Sequence, residues 1–180
     1  MMKRYGIIYA DPPWKYNDSP KQGRIQYSQM TTPEICKMPI QDMADDPCAL
    51  FMWATFPMLP DALKVIEAWG FEYVTNAFTW IKMNPKSGGV WSGIGHWTAS
   101  NAEICLLARR GKIVRANTGV KQVILCRRGR HSAKPEEIKD RILRLMGDLP
   151  RIELFARNKT EGWEFTGNQA EEENGQLKLQ

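Results

Sequence analysis

Four consecutive residues, Asp11-Pro12-Pro13-Trp14, follow directly on the apolar run Tyr5-Gly6-Ile7-Ile8-Tyr9-Ala10. A strand that ends in a carboxylate, two prolines and an indole builds a rigid pocket whose polar groups are acceptors. Proline fixes φ and carries no N–H, so the backbone there offers carbonyls without competing donors. Asp11 adds an acceptor, and Trp14 adds a face on which a planar ring can stack. Such a pocket suits a planar group with an exocyclic amine, a nucleobase above all. The chemistry it permits is methylation of that amine. An aryl amine delocalises its lone pair into the ring and is a poor nucleophile. Holding its two N–H bonds on the Asp11 carboxylate and the Pro12 carbonyl favours a tetrahedral nitrogen with the lone pair aimed at an electrophilic carbon. Positioning and electrostatic preorganisation carry such a reaction, without a covalent enzyme intermediate. The plain structural alternative is a strand-ending turn in which Asp caps and Trp packs.

The elements that must hold these residues alternate between strand and helix, which predicts an α/β sheet in one domain. Strand candidates are Tyr5–Ala10, Ala49–Trp53, Phe78–Lys82, Glu103–Ala108, Gln122–Leu125 and Arg151–Phe155. Thr32-Pro33-Glu34 reads as a helix start, with Thr as cap and Pro in the first turn. Pro60 to Trp69 carries Leu63, Ile66 and Trp69 on one side and stops at Gly70. Pro135 opens a third helix, with Ile138, Ile142 and Leu145 on one face. Two stretches fit no element: residues 15–29, with Pro20 and Gly23, and residues 84–100, rich in Gly and Trp. Irregular stretches of this length in a compact domain are usually functional lids or disordered insertions. The first reads as a flap over the pocket.

The chain has 180 residues, enough for one substantial core, and its hydrophobic content of 43% is that of a globular protein. Residues 1–170 are expected to form the domain and 171–180 a flexible polar tail. No apolar run approaches the roughly 20 residues of a membrane span, and no signal-peptide pattern is present. Cys36, Cys48, Cys105 and Cys126 are far apart, which points to reduced thiols and a cytoplasmic protein. With His96 and His131 the only histidines, no metal site is expected. From Lys82 to Arg130 there are ten Lys and Arg against one acid, Glu103, whereas the remainder holds 15 basic and 19 acidic residues. That block also holds Trp91 and Trp97 among glycines. Cationic and aromatic residues on one loop suit a phosphate backbone and an unstacked base, so a nucleic-acid substrate is favoured over a merely solvated face.

The same residues resemble the MT-A-70-like N(6)-adenine methyltransferases, a family with eukaryotic mRNA, bacterial and phage members. Besides Asp11-Pro12-Pro13-Trp14, the similar segments are Tyr27-Ser28-Gln29-Met30-Thr31, Leu50-Phe51-Met52-Trp53, Thr79-Trp80-Ile81-Lys82, Gly95-His96-Trp97 and Asn101-Ala102-Glu103. His131-Ser132-Ala133-Lys134-Pro135, Arg151-Ile152-Glu153-Leu154-Phe155-Ala156-Arg157 and Gly167-Asn168-Gln169 complete the family's order. The resemblance implies a Rossmann-like fold dependent on S-adenosylmethionine, with the catalytic strand preceding the donor-binding strand (the permuted, beta-class order). It implies catalysis at Asp11, Pro12, Pro13 and Trp14. The donor would be bound by Asp11, Lys134, Phe155, Arg157, Asn158, Asn168 and Gln169, and the substrate by Tyr27, Lys82, Trp97, Asn101 and Glu103. Lys134, before its helix, would meet the donor's carboxylate. The absence of a G-x-G-x-x-G loop agrees with a cofactor that has no phosphate. Glu103 orients the base or a basic side chain, or simply begins a strand. The activity implied is methylation of adenine's 6-amino group in nucleic acid, DNA before RNA, in a bacterial or phage-encoded enzyme. A non-catalytic nucleic-acid-binding subunit, a homodimer and pairing with another subunit are left open.

Overall fold

The computed structural model describes residues 3–16, 29–95, 97–127 and 133–167. Among these residues the elements run β1 (Tyr5–Ala10), α1 (Thr32–Cys36), α2 (Ile40–Met43), β2 (Ala44–Ala54), a 3₁₀ turn (Phe56–Met58), α3 (Leu59–Ala68), β3 (Glu72–Met83), β4 (Ala102–Arg110), β5 (Val123–Arg127), α4 (Glu137–Met146), β6 (Arg151–Leu154) and β7 (Glu164–Thr166). The strands form one sheet in the order β5-β3-β4-β2-β1-β6-β7. β1 pairs in parallel with both β2 and β6. Only β4 runs against its neighbours, antiparallel to β2 and to β3.

β1 is buried at all six positions because helices cover both sheet faces, the condition of a parallel central strand. On one face Ile8, Leu50, Met52, Leu106 and Ala108 pack against Ile35, Ala62, Val65, Ile66 and Trp69. On the other Ile7, Tyr9, Phe51, Trp53, Phe78 and Ile124 pack against Ile138, Ile142 and Met146 of α4 and against Trp163. The expected α/β class and single-domain layout therefore hold.

Several details differ from the sequence expectation. β2 and β3 begin earlier than expected because Ala44 pairs with Tyr5 and Cys48 with Arg110, and Glu72 pairs with Arg109. β7 was not expected; its three residues extend the sheet beside β6. The cationic block does not form one surface. Reversed β4 carries it through the sheet, so Lys82 lies near the end of β3 on the rim, against Glu103, whereas Arg109 and Arg110 lie at the far end, paired with Glu72 and Cys48. There Arg109 pairs with Glu72 at 2.9 Å, and Arg110 donates to the Gln41 carbonyl at 2.8 Å. Cys48 and Cys105 are buried, Cys36 and Cys126 partly so, all four unbridged. Among the described residues no helix is long and apolar enough to cross a membrane.

Candidate active site

The parallel strands β1, β2, β3, β5, β6 and β7 end on one rim, and antiparallel β4 begins there. On this rim β1 lies between strands whose connections leave toward opposite faces of the sheet, the kind of switch point where an open α/β sheet binds ligands. Asp11 is the first residue past β1, and Phe155 the first past β6. Between β6 and α4 a cavity of about 580 Å³ opens, lined by Tyr9, Asp11, Lys134, Glu153, Phe155 and Trp163 among others. Arg157 and Asn158 line it too. Five of the residues the resemblance implied for the donor thus share one cavity. Asn168 and Gln169 lie outside the described residues, as does Tyr27.

Charge alternates across the mouth. The Lys134 ammonium stands 2.8 Å from Asp11 Oδ1 and 3.2 Å from Glu103 Oε2. Lys82 Nζ stands 2.5 Å from Glu103 Oε1. All four side chains are largely buried, between 12 and 20% exposed, so each charge relies on its neighbours rather than on water. Burial opposes the charge on Lys134, but Asp11 and Glu103 outweigh it and hold the ammonium protonated well above the usual lysine range. Burial likewise pushes Glu103 up, and Lys134 and Lys82 overcome that and hold it below the ordinary carboxylate range. Glu103 therefore does more than begin a strand: it bridges the two lysines.

An aromatic frame supports this cluster. Lys134 lies over the Trp53 ring at 5.6 Å, and Lys82 over Trp80 at 5.3 Å. Trp53 Nε1 donates to the Tyr9 hydroxyl at 2.7 Å. Trp14 departs from the expectation of an open stacking face. Its indole is only 6% exposed and belongs to the core, with Nε1 donating to the Trp53 carbonyl at 3.1 Å. The Pro12 carbonyl accepts the Trp14 N–H at 2.9 Å, so one of its two lone pairs is already engaged. The Pro13 carbonyl accepts from the Met30 N–H at 2.8 Å, and Lys15 N–H returns a bond to the Met30 carbonyl at 3.0 Å. The ends of the stretch read as a flap are thereby clamped side by side; residues 17–28 lie outside the described residues.

The sequence reading assigned Tyr9, Lys139, Glu153 and Trp163 no role in the site, although Trp163, in Gly162-Trp163, also belongs to a segment similar to the family's. Glu153 Oε2 and Lys139 Nζ are 2.5 Å apart in the cavity wall, and Lys139 also donates to the Thr160 hydroxyl. Burial pushes Glu153 above the ordinary carboxylate range, with Lys139 opposing. A carboxylate at the end of a buried parallel strand was the available signal. Phe155 adopts φ 62°, a left-handed conformation that costs a non-glycine residue about 1–3 kcal/mol. The close approach of β7 holds it there. Ala156 N–H donates to the Thr166 carbonyl at 3.0 Å, and a Cβ on Gly167 would fall 2.5 Å from the Ala156 oxygen.

Of the substrate candidates, Lys82 and Glu103 join Asp11 and Lys134, and Asn101 closes the base of the β3–β4 loop through its carbonyl, 2.9 Å from Lys82 N. Trp97 does not touch the cluster; it stands on that loop, 97% exposed. Among the described residues no metal-binding group of His, Cys, Asp and Glu gathers.

Comparison with known proteins agrees with this geometry. The type II methyltransferase M.MunI of a Mycoplasma species is 34% identical, over 92% of this chain and 77% of its own length. The human N(6)-adenosine-methyltransferase catalytic subunit METTL3 is 30% identical over 94% of the chain, which spans 29% of that protein. An MT-A70-like N(6)-adenosine-methyltransferase of Arabidopsis thaliana is 28% identical, the chain spanning 24% of its length. The MT-A70 family profile matches residues 5–169, from the first residue of β1 past the end of β7, and the chain belongs to the MT-A70 family of methyltransferases.

Proposed function

We propose that the protein transfers a methyl group from S-adenosylmethionine to the 6-amino group of adenine in a polynucleotide, with DNA placed ahead of RNA. The observation that carries this reading is the Asp11–Lys134 ion pair in the wall of the 580 Å³ cavity, with Glu103 bound to the same ammonium. The cavity's volume falls in the range of about 300–1,000 Å³ common for small-molecule sites. Its residues suit this donor: Lys134 for the carboxylate, Asp11 for the ammonium, Tyr9, Phe155 and Trp163 for apolar contact, and Glu153, Arg157 and Asn158 for hydroxyl groups. When bound, S-adenosylmethionine supplies a methyl carbon activated by its sulfonium.

The chain's own part is to hold the acceptor. Asp11 takes one N–H of the amine, and the lone pair left on the Pro12 carbonyl takes the other. The nitrogen becomes acidic only as its new bond forms, so the carboxylate needs no strong basicity to receive or relay the proton. Glu103 holds Lys134 in place beside Asp11, and the dry aromatic wall of Trp53 and Tyr9 keeps those charges effective.

Incubating DNA and RNA with labelled donor and analysing the nucleosides by mass spectrometry tests the reading. N(6)-methyladenine is expected, and a methyl group on any other atom would refute it. Asp11→Asn should lower the rate at least about 100-fold, the scale for loss of a preorganised group at the reacting atom. Calorimetry should still detect the donor bound to that variant, more weakly. Full turnover by Asp11→Asn would remove the carboxylate from the chemistry.

A further inference from the structure

The β3–β4 loop is built as a braced stem with an apolar tip. Trp91 N–H donates to the Lys82 carbonyl at 2.8 Å and Gly93 N–H to the Ser100 carbonyl at 2.9 Å. Met83–Val90 and Gly93–Ser100 pair as antiparallel bridges. A Cβ on Gly93 would fall 2.3 Å from the Trp91 ring, and one on Gly95 2.3 Å from the Thr98 oxygen, so the chain turns tightly and the indole lies on the backbone. Lys82 sits 5.9 Å from that same ring. Beyond this stem Ile94 and Trp97 stand wholly in solvent, 103 and 97% exposed.

A lone exposed hydrophobic residue asks for no explanation. Two of them, three residues apart on a stiffened turn beside a catalytic rim, do. Trp97 precedes Glu103 by six residues, which keeps its backbone within about 20 Å of the carboxylate cluster. Lys86, in the same loop, and Arg127, ending neighbouring β5, are exposed cations suited to phosphates on either side. A single strand would need only flat rings on which its bases stack. An aliphatic side chain next to the indole adds little to a stack but fills a gap.

We infer that Ile94 and Trp97 form a wedge that enters the base stack of duplex DNA and occupies the place vacated by the target adenine as it turns out toward Asp11. The inference rests on the proposed adenine-methylating activity and names duplex DNA as its substrate. Extrusion from a duplex costs unpairing and unstacking, least where the base lacks a partner, and apolar side chains inserted at the step offset that cost.

The test compares three substrates: a duplex oligonucleotide methylated by the wild-type protein, its target strand alone, and the same duplex with an abasic site opposite the adenine. In Ile94→Ala/Trp97→Ala the rate on the intact duplex should fall about ten- to hundred-fold more than on the other two. Placing 2-aminopurine at the target position should give a fluorescence rise on binding to wild type that the double variant lacks. Equal losses on all three substrates, or none, would overturn the wedge while leaving the methylation reading intact. So would a loss accompanied by a change in sedimentation, which would mark the tip as a protein contact. Wild-type activity on single strands only would also overturn it. No methylation of any polynucleotide would overturn both readings.

Discussion

Replacing Lys82 by Met removes the nearer of two cations that neutralise Glu103, at 2.5 Å against 3.2 Å for Lys134. Removing one partner of a buried ion pair costs about 3–5 kcal/mol when nothing else compensates the remaining charge. Here Lys134 stays, and Met keeps apolar and sulfur contact with Trp80 and Trp91. The expected loss is therefore about 2 kcal/mol at neutral pH. Its pH dependence carries the sharper information. Burial raises the affinity of Glu103 for a proton, and Lys134 and Lys82 together pull it below the ordinary range. The stability this gives the folded state is present above the unfolded carboxylate value of about 4.3 and is lost as pH falls through the lower folded value. Lys82→Met moves the folded value up, so the penalty should be full at pH 7 and shrink toward pH 4 as Glu103 takes a proton. Urea unfolding of Lys82→Met, Glu103→Gln and the double variant at both pH values measures this. The cycle should give a coupling of about 1–3 kcal/mol at pH 7. Additive single effects, or a Lys82→Met penalty independent of pH, would refute the ladder of charges.

Two further substitutions separate scaffold from chemistry. Trp14→Phe removes the buried indole bond to the Trp53 carbonyl and should cost about 1–2 kcal/mol in thermal or urea unfolding. Its effect on donor affinity measured by calorimetry should be small. A methylation defect with unchanged stability would instead place the indole against the base. Gly167→Ala sets a methyl 2.5 Å from Ala156 O, 2.6 Å from Ala156 N and 2.9 Å from Phe155 C, all backbone atoms that cannot rotate away. About 2–3 kcal/mol of stability should be lost, and donor affinity with it as Phe155 moves. Wild-type melting and wild-type affinity in this variant would show that β7 does not hold the end of β6.

Much of the site was legible from residue types and their order along the chain. An apolar run before Asp11 implies a buried strand with a carboxylate at its end, and Lys134 before an amphipathic helix implies a cation at the same level. Their ion pair at 2.8 Å follows from the parallel pairing of β1 with β6, which puts the start of α4 and the end of β1 on one rim. What stayed hidden depends on distant pairing. Nothing local to Ala102–Arg110 says that it runs backwards, and that reversal sends Arg109 and Arg110 away from Lys82. Trp14 has a stacking-competent ring, but whether an indole faces a cleft or the core depends on helices that begin no earlier than Thr32. The unusual backbone of Phe155 is imposed by β7, a strand of three residues too short to carry a periodic signal. The start of β3 at Glu72 looks like loop until its pairing with Arg109 is known.

The bond from Lys82 N–H to the Asn101 carbonyl joins the two feet of the β3–β4 loop just where the strands part. The tip beyond Trp91 can lengthen, shorten or change composition without shifting Glu103, whose place is set by β4 pairing below it. The tip, positions 92–99 in sequence, is in this sense an exchangeable cassette mounted on a fixed chassis. Swapping it between relatives should transfer preference for strandedness or flanking bases while the methyl-transferring machinery goes on working, which makes this loop the natural place to retarget the enzyme.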